Sequence, residues 1–254
     1  MSLAAILALA ALLRCNHLAD LSFWFDESFC WKMTTFKLGE VWQRVALDNH
    51  PPLYFYLLWF WARVFGDSPG ATRSLSVVLG LVTVAGAYLL ARQVGARGTP
   101  QRAFPTEAEP RPDPPVVHGM PQVGGTPRRA FPTEIDQRRN CPHPGPLPEG
   151  EGETPELSRV PLQAAGERAG LLAAALVALS PFQIDWSQQV RMYVLGACLT
   201  LLSCWLLLRA LASARPRWQD FAWYTLAATA LAYTHYFGLF VLAGQFLYAV
   251  GAAL

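Results

Sequence analysis

Asp26 and Glu27 are adjacent carboxylates at the edge of apolar sequence, and acids so placed are costly unless water, a partner or a substrate meets them. A carboxylate in a partly dry site can act as general base and take the proton of an attacking hydroxyl. Two later stretches could face the pair. Gln188, Gln189 and Arg191 lie in a polar turn, DWSQQVR at 185–191, followed by Tyr193, and His235-Tyr236 separates two apolar segments. Cations and donors opposite a base suit a reaction whose leaving group is an anion such as phosphate. His50 precedes Pro51-Pro52 and an aromatic run that includes Tyr54. At this level each residue also has a plainer reading. The acids could end a solvated loop, His50 could cap the helix that the prolines start, Arg191 could anchor at an interface, and His235 and Tyr236 could be turn residues.

The elements that must carry these residues are membrane helices. The chain of 254 residues is 53% hydrophobic and 15% charged, with a mean hydropathy of +0.24 that one long polar insert pulls down. A net charge of +2 without a dense Lys/Arg run argues against nucleic acid as a partner. The five cysteines show no metal-ligand spacing. Residues 2–21 predict an uncleaved first transmembrane helix, since a signal peptide would carry a positive n-region and a cleavage signature. Residues 36–47 alternate apolar and charged positions as an interfacial helix does.

The segment 51–65 is apolar all round but reaches only about 22 Å as a helix, short of the ~30 Å hydrocarbon core. Lying flat, it leaves 73–94 as the second span and puts Arg92, Arg97, Arg209, Arg215 and Arg217 on one side, as the positive-inside rule favours. Spans are expected from 169 to about 184, at 193–211, 220–234 and 238–254. The loops 22–71, 185–192 and 235–236 then share the outer face. Residues 97–168 hold most of the 20 prolines and repeat GTPQRAFPTE as GTPRRAFPTE, a composition expected to be disordered and cytoplasmic. The sequence thus predicts an all-α polytopic bundle in three parts. These are 1–96 with the outer loop, the insert 97–168, and 169–254 with about four further spans, the last ending as a truncated chain would.

Phe25-Asp26-Glu27, His50-Pro51-Pro52-Leu53-Tyr54, Phe65-Gly66-Asp67 with Arg73, Ser180-Pro181-Phe182, Ser187-Gln188, Arg191-Met192-Tyr193 and Thr234-His235-Tyr236-Phe237-Gly238 occur in this order. Together they resemble the N-terminal half of GT-C membrane glycosyltransferases, in the bacterial branch related to dolichyl-phosphate-mannose protein mannosyltransferases and lipid A aminoarabinose transferases. The resemblance covers 1–96 and 169–254. It implies a multi-pass enzyme of the bacterial inner (plasma) membrane, moving a sugar from a polyprenyl-phosphate donor to a lipid, glycan or protein acceptor on the outer face. It further implies Asp26 as catalytic base with Glu27 beside it, a donor site shaped by the His-Pro-Pro loop, and substrate contacts from His50, Tyr54, Gln189, Arg191, Tyr193, His235 and Tyr236. Gln189 stands where that family commonly has an acid, so the resemblance supplies no second catalytic or metal-binding carboxylate. The cofactor stays unknown, with a divalent cation open. Two other readings stay open: a membrane transporter, although such proteins tend to interrupt their helices near the midplane, and an inactive truncated fragment of a glycosyltransferase.

Overall fold

The computed structural model describes residues 2–47, 50–97, 159–213 and 215–254. Those within 1–98 and 160–254 form one compact unit. The insert expected at 97–168 lies outside the described residues from 98 to 158. Among the described residues the chain is an all-α membrane bundle of ten helices without strands.

The first helix, α1 (Leu3–Cys15), starts where the Ser2 hydroxyl accepts from the Ala5 amide at 3.3 Å, and its apolar run ends early. Residues 16–21 do not continue it as the hydropathy predicts, because the chain turns at His17 (φ 57°). The carbonyls thereby freed are used elsewhere. Those of Leu13, Arg14 and Asn16 accept from Gln188 Nε2 at 3.2, 3.3 and 2.9 Å, and those of Leu18 and Leu21 accept from Arg73 Nη1 at 3.0 and 2.8 Å.

Two short helices follow, α2 (Phe25–Thr34) and α3 (Leu38–Ala46), the second burying Val41 and Val45 along one face as its alternation predicts. Their apolar faces and that of α4 (Leu53–Phe65) share a core with Cys30, Tyr54, Phe55 and Leu58. The Trp59 and Trp61 indoles tie α4 to the chain around it, donating to the carbonyls of Phe36 (2.9 Å) and Ala71 (3.0 Å). Gly66, at φ 94°, ends α4 in a conformation that L side chains rarely adopt.

The long helix α5 (Pro69–Gly95) is the bundle's spine, opened by the Ser68 cap and Pro69. Against it pack α1, α4, α7 (Pro181–Ser187) and α8 (Tyr193–Ala212), and α8 in turn holds α9 (Trp218–Ala232) and α10 (Phe237–Ala253). Among the described residues three helices are long and apolar enough to cross a membrane: α5, α8 and, over Leu162–Leu179, α6 (Arg159–Leu179). Helices α1, α4 and α10 are apolar but shorter. Leu12, Leu172, Leu176, Phe240 and Leu247 point away from the bundle, the arrangement that lipid contact favours.

Helix α6 begins at Arg159 rather than near Ala169, inside the stretch expected to be irregular. Its early turns are fixed by close packing rather than by hydropathy. Gly166 and Gly170, four apart, let α6 meet α5 at backbone distance: a Cβ on Gly166 would stand 2.7 Å from the Arg92 carbonyl oxygen, and one on Gly170 2.9 Å from that of Tyr88. Glu167 adds bonds from the Tyr88 hydroxyl (2.8 and 2.9 Å) and an ion pair with Arg92 at 3.3 Å. Gly166→Ala is therefore expected to destabilise the bundle by about 1–3 kcal/mol, the usual cost of overpacking. Equilibrium unfolding in detergent micelles would show it, with a neutral effect from Ala at Gly196, where a Cβ meets open space.

Candidate active site

The loop 188–192 carries Arg191, and three buried contacts hold it in place. Arg14, wholly buried, donates to the carbonyls of Ala178 (3.1 Å) and Val177 (3.2 Å) in the last turn of α6 and to Ser187 Oγ at 3.3 Å. A cation there also meets the negative end of the α6 dipole. Gly80 leaves the room that Ser187 occupies, so α7 closes onto α5. The Ser76 hydroxyl then donates to the Gln189 carbonyl at 2.6 Å.

Glu27 makes the third contact. It sits in the first turn of α2, its Oε2 accepting from the Trp24 amide at 3.4 Å, and its side chain is 1% exposed. Arg73 from α5 grips both of its oxygens, Nε to Oε1 at 2.9 Å and Nη2 to Oε2 at 2.7 Å, while the Val190 amide donates to Oε1 at 2.9 Å. One carboxylate thus joins α2, α5 and the Arg191 loop.

Asp26, the next residue back, points to the partly open side. Its Oδ2 lies 3.3 Å from Arg191 Nη1, with 36% of the Asp26 side chain exposed against 11% for Arg191. Arg191 Nη2 donates to the Tyr193 hydroxyl at 3.2 Å, and its buried Nε has no hydrogen-bond partner among the described residues. Burial works against the Arg191 charge, but Tyr193, Cys30 and Asp26 outweigh it and the pKa is raised. From Tyr193 the contacts run on through rings. Its centroid is 4.2 Å from Trp186 and 5.5 Å from His235, which lies 6.2 Å from His50 and stacks on Phe237 at 5.0 Å. The Leu53 amide donates to the Tyr233 carbonyl at 3.1 Å, holding the His-Pro-Pro loop against the end of α9.

Two cavities flank this row. The first, about 380 Å³, sets the charged and polar side chains of His17, Glu27, Arg73, Asp185 and Gln189 among the apolar ones of Leu18, Leu21 and Trp24. Gln189 Nε2 donates to Asp185 Oδ2 within it at 2.9 Å. The second, about 360 Å³, lies between Trp42, His50, Pro52, Tyr233 and Tyr236, and adjoins a strongly apolar hollow of about 440 Å³ that shares Trp42, Pro52 and Tyr233. Tyr54 lines none of these. It is fully buried beneath the site beside Ser76 and Cys30, and burial raises its pKa well above the ordinary value, so its hydroxyl stays protonated. The structure therefore brings Asp26, Arg191, Tyr193, His235, His50 and Tyr236 to one end of the bundle, with Glu27 and Tyr54 in the layer below. Gln188, expected to face the acids, instead donates to the carbonyls of Leu13, Arg14 and Asn16. The positioning roles of Arg73 and Arg14 were not visible in local sequence patterns because their partners lie far away along the chain.

Among the described residues no three His, Cys, Asp or Glu side chains gather as a metal site requires.

Residues 49–101 match the family model for dolichyl-phosphate-mannose-protein mannosyltransferase.

That match contains His50-Pro51-Pro52, α4 and α5. It leaves Asp26, Arg191 and His235 to be argued from geometry. Together with the apolar helices, it points to a membrane glycosyltransferase. No curated protein and no solved structure matches the chain.

The row of rings has a pH consequence. Burial lowers the His235 pKa below its ordinary 6.5, and His50 and Arg191 push the same way. Its Nδ1 accepts from the Phe237 amide at 3.1 Å, which fits a neutral ring with the proton on Nε2. The unfolded chain takes up this proton at the ordinary value and the folded chain only at a lower one. His235 therefore favours the folded state least in acid: stability falls as pH drops through 6.5 and levels off below the folded pKa. Melting curves against pH should show that fall in the wild type and a smaller one in His235→Asn.

Proposed function

We propose that the chain transfers a sugar from a polyprenyl-phosphate donor to the hydroxyl of a lipid, glycan or protein acceptor, on the outer face of the bacterial inner membrane. The observation that carries this reading is the Asp26–Arg191 contact of 3.3 Å at the partly open end of the bundle. A carboxylate that can take a proton and a guanidinium that can take a phosphate stand side by side, with apolar hollows nearby.

In the reaction the acceptor oxygen attacks the anomeric carbon and the bond from that carbon to the phosphate oxygen breaks. The acceptor proton passes to Asp26. The polyprenyl phosphate departs with one more negative charge than it held as a diester, and Arg191 offsets that charge. Its Nε, without a partner among the described residues, and its pairing with Tyr193 leave it oriented for this exchange. His50 and Tyr236 border the second cavity, where an isoprenoid close to the phosphate would meet Trp42, Pro52 and Tyr233, and His235 stands behind His50 at 6.2 Å between ring centroids. Gln189 and Asp185, in the first cavity, are placed to hold sugar or acceptor hydroxyls. Glu27 acts by holding Asp26 and the 190 loop in register. Should a divalent cation take part, Asp26 is the acid nearest the phosphate position.

Arg191→Ala tests the reading through the donor. Removing a charge-assisted bond of about 1.5–3 kcal/mol should weaken binding of a polyprenyl monophosphate by roughly 10- to 100-fold. Titration into the protein in lipid nanodiscs would measure it. Unchanged affinity would remove Arg191 from the phosphate, and substrate uptake into vesicles without sugar transfer would favour a transporter.

A further inference from the structure

The other end of α8 holds a cavity of different character. From Tyr193 to the last turn, α8 runs about 29 Å at 1.5 Å per residue, close to the thickness of the hydrocarbon core, so its two ends reach opposite interfaces. Where α8 ends and α9 begins, Arg209, Ser213, Arg215, Arg217, Asp220 and Trp223 line a hollow of about 340 Å³. Three guanidiniums face one carboxylate, and Asp220 Oδ2 already accepts from the Arg217 amide at 3.1 Å. Among the described residues none of the three arginines is ion-paired with a carboxylate. Arg97 adds a fourth cation at this end, donating to the Leu208 carbonyl at 2.6 Å.

Arginines that only set topology need no shared cavity. These converge on one, and guanidinium forks match phosphate oxygens bidentately. Trp218 and Trp223, in the first turns of α9, are exposed near this cavity, and indoles favour the depth of lipid headgroups. Phe221 and Leu226 continue the exposed apolar surface of α9 from there.

We propose that this cavity binds the phosphate of an anionic membrane lipid, with the acyl chains lying along α9. The ligand class is a phosphodiester headgroup such as glycerol phosphate, held by Arg209, Arg215 and Arg217 and hydrogen-bonded by Ser213. It is separate from the candidate active site and does not depend on the reaction proposed there.

Native mass spectrometry of the full chain in non-ionic detergent, titrated with phosphatidylglycerol or phosphatidylcholine, tests the proposal. Phosphatidylglycerol should bind selectively. At about a factor of five per interfacial arginine, Arg215→Gln/Arg217→Gln should weaken it about 30-fold and Arg209→Gln about fivefold. Arg63→Gln, an exposed arginine on α4, should leave it unchanged. Circular dichroism of each variant confirms that it folds, and Arg209→Gln stands as the independent variant should the double one fail. Equal retention of phosphatidylcholine, or an equal loss in Arg63→Gln, would reduce the effect to net charge and overturn the proposal. Complete displacement by millimolar inorganic phosphate would assign the site to a soluble phosphate and overturn the lipid source.

Discussion

Asp26→Asn is expected to lower sugar transfer by about 10² to 10⁴ while donor binding survives, the loss typical of a removed general base. Asparagine keeps the size of the side chain and an oxygen for Arg191 Nη1, now 3.3 Å away, so the loop around Arg191 should hold its place. What disappears is the ability to take a proton as the acceptor oxygen attacks. The effect should therefore fall on turnover at saturating donor rather than on donor affinity, a split that mutant kinetics can resolve. Transfer from a polyprenyl-phosphate sugar, with binding of the monophosphate measured separately, distinguishes the cases. Near-normal turnover would remove Asp26 as base. A parallel loss of binding would mean that its charge serves to hold Arg191.

Much of the bundle was legible because it follows from hydropathy alone. Helices α5 and α8 fall within a few residues of the apolar runs at 73–94 and 193–211, and α3 within its amphipathic stretch. The departures share one cause. Helix α1 stops at Cys15 although its sequence could continue: the chain turns at His17, and Arg73, far along the chain, takes carbonyls that a longer helix would have used. Helix α6 starts at Arg159 although its first turns are polar, because Gly166 fits against the Arg92 carbonyl. Local pattern carries neither contact.

The same divide runs through the candidate site. The residue types that could do chemistry stood out, and the loops bearing Asp26, Arg191, His235 and His50 meet at one end of the bundle. The difference between Asp26 and Glu27 was not visible. Neighbours on a helix point about 100° apart, so one faces the open side and the other the core, and only the partner on α5 decides which.

That difference leads to the largest expected effect on stability. Glu27→Gln should destabilise the protein by about 3–5 kcal/mol, the usual cost of removing one partner from a buried ion pair. Arg73, 6% exposed at its side chain, would keep its bonds to the Leu18, Leu21 and Ser22 carbonyls but lose the charge that offsets its own. Arg73→Met should cost a similar amount, since it strands Glu27 and those three carbonyls together. The double variant should lose much less than the sum, because neither charge is then left alone. Additive losses in unfolding experiments would mean that the pair is not the joint. Hydrogen exchange gives a local reading of the same event: the Val190 amide, which donates to Glu27 Oε1 at 2.9 Å, should lose protection in Glu27→Gln ahead of amides in the middle of α5. Such early opening would release Arg191 from Asp26, so activity would fall through the loss of their alignment, with the base itself intact.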